Sequence, residues 1–147
     1  MNRPAYPFSH DAPNLTFDFD SISDHKIIHK RIEYMPTGVY DVYNLALGDV
    51  QENGEIDDSI VSDNNDRDLV LATVIQTLLL FFQHYPKRAV YIEGNDDRRT
   101  RLYRAAISRE LDNARDLFDI YGVYENSNFE RFTPNRPYIA FLIRLKV

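Results

Sequence analysis

A chain of 147 residues with 44% hydrophobic and 27% charged residues has the size and make-up of one soluble globular domain, large enough to bury roughly two thirds of its unfolded surface. The lack of cysteine excludes disulfides, thiolate metal sites and cysteine nucleophiles. A net charge of −6 excludes a uniformly basic nucleic-acid surface, yet the charge is uneven: residues 1–68 hold fourteen acids against five Lys or Arg, and residues 69–147 hold nine against twelve.

These features predict a single α+β domain over 14–147 behind a flexible leader, 1–13. The leader lacks the basic start and apolar run of a secretory signal. The longest apolar run, Leu78–Phe82, is far below the ~20 residues of a membrane span. A soluble, cytoplasmic protein with no membrane partner is expected.

In chain order, Leu15, Phe17 and Phe19 alternate with Thr16, Asp18 and Asp20, which predicts a strand with one wet face. Ser21–His25 reads as a turn, and Lys26–Met35 as a second strand closed by Pro36-Thr37-Gly38. Val39–Asp49 reads as a third, with Val39, Tyr43, Leu45 and Leu47 on one side, so that the three form an antiparallel meander. Asp49–Asp68 carries eight acids and one Arg. Its beginning resembles a calcium-binding EF-hand loop at several positions, but Ile60 stands where a bidentate Glu is needed. Asn53-Gly54 is a strong hairpin signal, and the hairpin is the preferred reading.

Asp66–Tyr85 predicts the helix around which the chain is organised. Between Leu69 and Gln83 only Thr73, Gln76, Thr77 and Gln83 are polar, and with Leu69, Leu80 and His84 they fall on one narrow stripe of the helical wheel. Such a helix needs cover on most of its circumference, from a sheet and from a further element or a second copy of the chain. Ser62–Asp66 supplies candidate N-caps. Pro86-Lys87-Arg88 ends the helix, and Ala89–Gly94 reads as a short buried strand. Gly94-Asn95-Asp96-Asp97 opens a second helix running to about Arg109, with Leu102, Tyr103, Ala106 and Ile107 on its core face. Leu111–Leu117 reads as a further helical turn. Phe118–Tyr124 then returns to strand pattern, Asn126-Ser127-Asn128 turns it, Phe129–Phe132 pairs back, and Tyr138–Val147 is the last strand. The expected architecture is a mostly antiparallel sheet packed on the long central helix, with the second helix beside it.

Chemical content is concentrated in that second helix. Arg98, Arg101 and Arg104 stand at i, i+3 and i+6, with Ser108 one turn on and Asn95 in the turn before. Exposed cations in a first turn oppose the helix dipole at ~0.3–1 kcal/mol each. A strand, a Gly-Asn turn and a helix N-terminus make an anion site, and arginine adds bidentate recognition of phosphate or carboxylate. The competing reading is that Glu93, Asp96, Asp97, Asp112 and the acids of 49–68 neutralise the arginines as ion pairs of little net worth. His10, His25, His29 and His84 show no ligand spacing, so no metal site is expected. Hydrolase and phosphate-loop motifs are lacking.

The segments Tyr43–Asp49, Asn53–Asp58, Ser62–Asn65, Val70–Val74 and Arg99–Arg104 resemble the signature of a family of small uncharacterised bacterial proteins of this length, which implies a bacterial source and a shared fold but no activity. The order of elements also resembles that of Gcn5-related N-acetyltransferases, with Gly94-Asn95 and Leu102-Tyr103 similar to their Asn-to-Leu-Tyr motif. That likeness implies coenzyme A as cofactor, Tyr103 as proton donor to its thiolate and Asn95 as a supporting residue. Ser62–Arg67 departs from the pattern, with no glycine and with acids where pyrophosphate would sit. Three functions follow. The leading one is a non-enzymatic binding module without cofactor, whose arginine row meets nucleic-acid phosphate or an acidic protein. The second is an acetyltransferase-like enzyme or degenerate relative. The third is an obligate homodimer, including one half of a toxin–antitoxin-like pair.

Overall fold

The computed structural model of the protein describes residues 5–11, 13, 15–23, 26–57, 67–93, 100–101, 103–105, 107–108 and 116–146. Its elements are β1 (Ser9–His10), β2 (Thr16–Ile22), β3 (Ile27–Pro36), β4 (Val42–Val50), β5 (Ile56–Asp57), α1 (Arg67–His84), β6 (Ala89–Glu93), β7 (Phe118–Val123), β8 (Phe129–Arg131) and β9 (Ala140–Leu145). The described residues between 100 and 108 are helical. Strand pairing is antiparallel for β1–β2, β2–β3, β4–β5, β6–β9, β7–β8 and β7–β9, and parallel for β4–β6. The fold is therefore α+β with a mixed sheet. The chain divides into two compact units: an N-terminal one of Asn2–Met35 and Ala46–Tyr85, and a C-terminal one of Pro36–Leu45 and Pro86–Val147.

In the N-terminal unit the alternation of β2 puts Phe17, Phe19 and Ser21 inside, and that of β3 buries Lys30, Ile32 and Tyr34. Directly opposed pairs such as Phe17 and Ile32 share this face. Against it lies α1, where the Tyr34 ring stacks on Phe81 at 4.5 Å between centroids and meets Phe17 edge-on at 5.8 Å. Such ring pairs add roughly 0.5–1.5 kcal/mol each beyond their buried area.

The polar stripe of α1 is not its wet side throughout. Thr73 and Thr77 are fully buried. The Thr73 hydroxyl donates to the Leu69 carbonyl and accepts the Tyr6 backbone N–H, while Thr77 donates to the Val74 carbonyl and shares a 2.8 Å hydrogen bond with the Tyr34 hydroxyl. A hydroxyl that returns its proton to its own helix can be buried without leaving a donor unpaired. The helix forms close to where its pattern predicts it, but it does not organise the chain. It belongs to one unit, and the other builds five-strand pairing without it.

Lys30 faces the same core as Phe19, its cross-strand partner. Its Nζ donates to Asp49 Oδ1 at 2.7 Å, with both side chains almost wholly covered. The Asp49 carboxylate, a candidate ligand in the calcium-loop reading, is thus engaged by a cation. The following Gln51–Glu55 turn is a hairpin with Gly54 at φ 85°, which pairs Asp49 with Asp57. Within 1–13, Ser9–His10 pairs with Phe17 and Asp18 as β1.

The C-terminal unit is ordered β4-β6-β9-β7-β8. The third strand begins later than its sequence suggests, because 37–41 is one continuous turn. Gly38 and Asp41 both take positive φ there, and the Thr37 hydroxyl bridges the Val42 carbonyl and the Val39 N–H. Val39 is consequently exposed rather than aligned with Tyr43. Beyond it, Val90, Ile92, Phe118, Ile120, Phe141 and Ile143 fill one face of the sheet. On that face the Tyr138 ring lies over Gly122 so closely that a Cβ there would sit 2.3 Å from it.

Two substitutions test these contacts. Gly122→Ala is expected to lower stability by about 1–3 kcal/mol in denaturant titration, since the ring it would strike is held at both ends. Asp49→Ala should cost about 3–5 kcal/mol by stranding a buried ammonium, and the double change Lys30→Met with Asp49→Leu should recover most of it.

Candidate functional site

Arg101, Arg104 and Ser108 lie on the helical stretch 100–108, so Arg101 and Arg104 share a face. Arg101 is exposed, while Arg104 and Ser108 are half-buried. Arg98 and Asn95, the other two members of the expected anion site, lie outside the described residues. So do Asp96, Asp97 and Asp112, the acids expected to neutralise it. Glu93 is described, and its carboxylate accepts from the Tyr91 hydroxyl at 3.2 Å.

Arg104 Nη2 donates to the Tyr138 carbonyl at 3.1 Å, and its Nε is buried with no hydrogen-bond partner among the described residues. A guanidinium has five N–H donors and no acceptor. Among the described residues Arg104 is held by one neutral carbonyl, with a second donor buried and unmatched, which leaves it spare donor capacity.

Tyr138 connects this helix to a second polar group. Its hydroxyl donates to Glu130 Oε1 at 2.8 Å and accepts the Thr133 N–H, and Tyr124 donates to the same oxygen at 2.6 Å. The Tyr124 phenol chiefly, then that of Tyr138, holds the Glu130 carboxyl below its ordinary range. Both tyrosines are pushed the other way, Tyr124 by its bond to Glu130 and Tyr138 by burial first. A phenol kept protonated beside a carboxylate is a clasp, not a general base. Tyr103, the expected proton donor of the acetyltransferase reading, is buried at 6% exposure.

The other charged clusters among the described residues around Arg88, Arg31 and His29 are internally matched. Arg88 donates to the Tyr43 hydroxyl at 2.8 Å, lies over its ring and faces Asp41. Arg31 grips both oxygens of Asp18. His29 meets Asp18 through Nε2 and Asp20 through Nδ1, so its two nitrogens point to different carboxylates. Among the described residues no group of His, Asp and Glu is arranged to hold a metal ion. No described helix is long and apolar enough to cross a membrane.

The sequence profile of DUF6934, a family of unknown function, matches residues 2–146. The chain belongs to that family. No curated protein and no solved structure matches it. The DUF6934 match covers both units and carries a shared fold without an activity. The match does not by itself show the motif between Tyr43 and Arg104 or the likeness to N-acetyltransferases.

Sequence reasoning missed the Glu130 clasp, because its members become neighbours only through the β7–β8 hairpin and the 133–137 loop. It also missed the Lys30–Asp49 pair. A lysine in register with two buried apolar residues of β3, Ile32 and Tyr34, was the available signal.

Because the Glu130 carboxyl is depressed in the folded protein, the stability it contributes is fully present above the ordinary carboxylate value of ~4.3 and is lost as pH falls through the folded value. Glu130→Gln should therefore show a smaller loss of unfolding free energy between about pH 6 and about pH 3 than the parent protein. Equal losses would mean that the clasp carries no acid linkage.

Proposed function

We propose that this DUF6934 member is a non-enzymatic interaction module that binds an anionic partner, nucleic-acid phosphate or an acidic protein surface, at Arg101 and Arg104. One observation carries the reading: Arg104 has a buried Nε without a partner and no carboxylate among the described residues. Arg101, one turn away, is exposed and likewise has no ion pair among them. Arg98 and Asn95 on the N-terminal side and Ser108 on the C-terminal side of these two arginines belong to the same proposed site. A ligand oxygen would satisfy the unmatched donor and repay part of the cost of burying it. The acids clustered in residues 1–68 leave the partner-facing charge to the second half of the chain.

The reading is tested by titrating the protein with a labelled RNA oligomer and, separately, with a polyglutamate peptide from about 50 to about 200 mM salt. For nucleic acid, log affinity should fall linearly with log salt, and Arg101→Ala should reduce the slope by ~0.7–0.9, the contribution of one phosphate contact. Binding to polyglutamate alone, weakened by Arg101→Ala, would identify an acidic protein as the partner class. If neither ligand binds at low salt, the site has no anionic guest.

A further inference from the structure

The register of the C-terminal unit brings together residues that are far apart in the chain. Asn44 opposes Tyr91, Tyr91 opposes Leu142, Leu142 opposes Tyr121, and Tyr121 opposes Arg131. Residues directly opposed across a ladder point to the same side, so these five form one row across β4, β6, β9, β7 and β8. They lie on the face opposite Val90, Ile92, Ile120 and Ile143, because side chains alternate along each strand. Flanking rows on this face hold Ala89, Arg144 and Asp119 on one side, and Glu93, Ala140, Val123 and Phe129 on the other.

Two features distinguish this face from an ordinary solvated sheet. The first is aromatic. Phe129 is 63% exposed and meets the Tyr121 ring edge-on at 5.9 Å, and Tyr91 stands two strands away in the same row, about 9.6 Å at ordinary strand spacing. The second is the placement of charge. The Arg131 guanidinium lies over the Tyr121 ring at 5.6 Å, and Arg144 and Lys146 are exposed. Of the acids of the face, Asp119 is paired with Arg131 at 3.2 Å, and Glu93, in the flanking row away from Arg144, accepts from the Tyr91 hydroxyl. Arg144 has no ion pair among the described residues.

We infer that this partly exposed sheet face binds single-stranded nucleic acid, with bases stacked on Tyr121 and Phe129 and the backbone phosphates drawn to Arg144. Unstacked bases present apolar faces that settle on aromatic rings or guanidinium planes, and phosphates require unmatched cations nearby. Duplex is excluded as the preferred ligand, because its bases are stacked on one another. A protein partner fits less well. The core of a protein interface is depleted of charge, whereas this face carries Arg144 and Arg131 among its aromatic residues. The site is separate from Arg101 and Arg104, so either can fail alone.

The experiment is fluorescence anisotropy of labelled single-stranded oligouridylate, oligothymidylate and a mixed-sequence duplex, all of equal length, at low salt. The single strands should bind more tightly than the duplex. Phe129→Ala and Tyr121→Ala should each weaken them roughly tenfold or more, while Tyr121→Phe, which keeps the ring, should bind like the parent. Arg144→Ala should lower the salt slope by ~0.7. Phe129 is exposed, so its replacement leaves the fold intact, and circular dichroism of each variant checks this. Duplex binding equal to single-strand binding, or affinity unchanged in Phe129→Ala, overturns the inference. Loss in Arg101→Ala without loss in Phe129→Ala would overturn it while leaving the helix site standing. Failure of every strand to bind at low salt overturns it as well.

Discussion

The last strand of the chain, β9, is hydrogen-bonded on both edges, to β6 on one side and β7 on the other, and the C-terminal unit depends on that double ladder. Without β9 between them, β6 and the β7–β8 hairpin would be separate edges with exposed N–H and C=O groups. With it, Phe141 and Ile143 complete one buried face while Leu142 and Arg144 complete the open one. A strand that closes a sheet last in sequence and sits inside it in space also fixes register. A one-residue slip would send Arg144 into the core and Ile143 into water.

Tyr138 stiffens the approach to that strand. It precedes β9 by two residues and is anchored by its hydroxyl to Glu130 and Thr133, by its carbonyl to Arg104, and by its ring to the backbone at Gly122. Only glycine at 122 allows the ring to lie so near the β7 backbone. A single residue thereby connects the helical stretch, the β8 strand and the central ladder of the unit. The acid–phenol contacts belong to this positioning role, which explains why both phenols are held in their protonated form.

The local signals in the sequence were sound where neighbouring residues decide the outcome. The alternation of β2, the length of α1, the Asn53-Gly54 hairpin and the turn at Asn126–Asn128 all rest on short-range sterics, and the structure forms each. Distant pairing decides the rest. Nothing in the order of elements says that β9 inserts between β6 and β7, so the row from Asn44 to Arg131 could not be assembled from spacing alone. The turn after β3 is longer than Pro36-Thr37-Gly38 predicts, because Thr37 and Asp41 extend it through side-chain bonding and positive φ. For the arginine row, spacing correctly placed Arg101 and Arg104 on one helix. It could not foresee that Arg104 would spend a donor on the carbonyl of Tyr138.

The two units treat their cations differently, and that contrast bears on function. In the N-terminal unit, Lys30 and Arg31 are each matched by a carboxylate, one buried and one gripped by two hydrogen bonds. Such pairs cancel charge and fix strand register, and they leave little field outside the molecule. In the C-terminal unit, Arg104 donates to the neutral Tyr138 carbonyl, and Arg88 donates to the neutral Tyr43 phenol while facing the Asp41 carboxylate at 3.8 Å. A neutral acceptor orients a guanidinium without cancelling its charge. Residues 69–147 hold nine acids against twelve Lys or Arg, although the whole chain is acidic. For the anionic partner proposed above, that local excess is the attractive field and the acids of residues 1–68 the repulsive one.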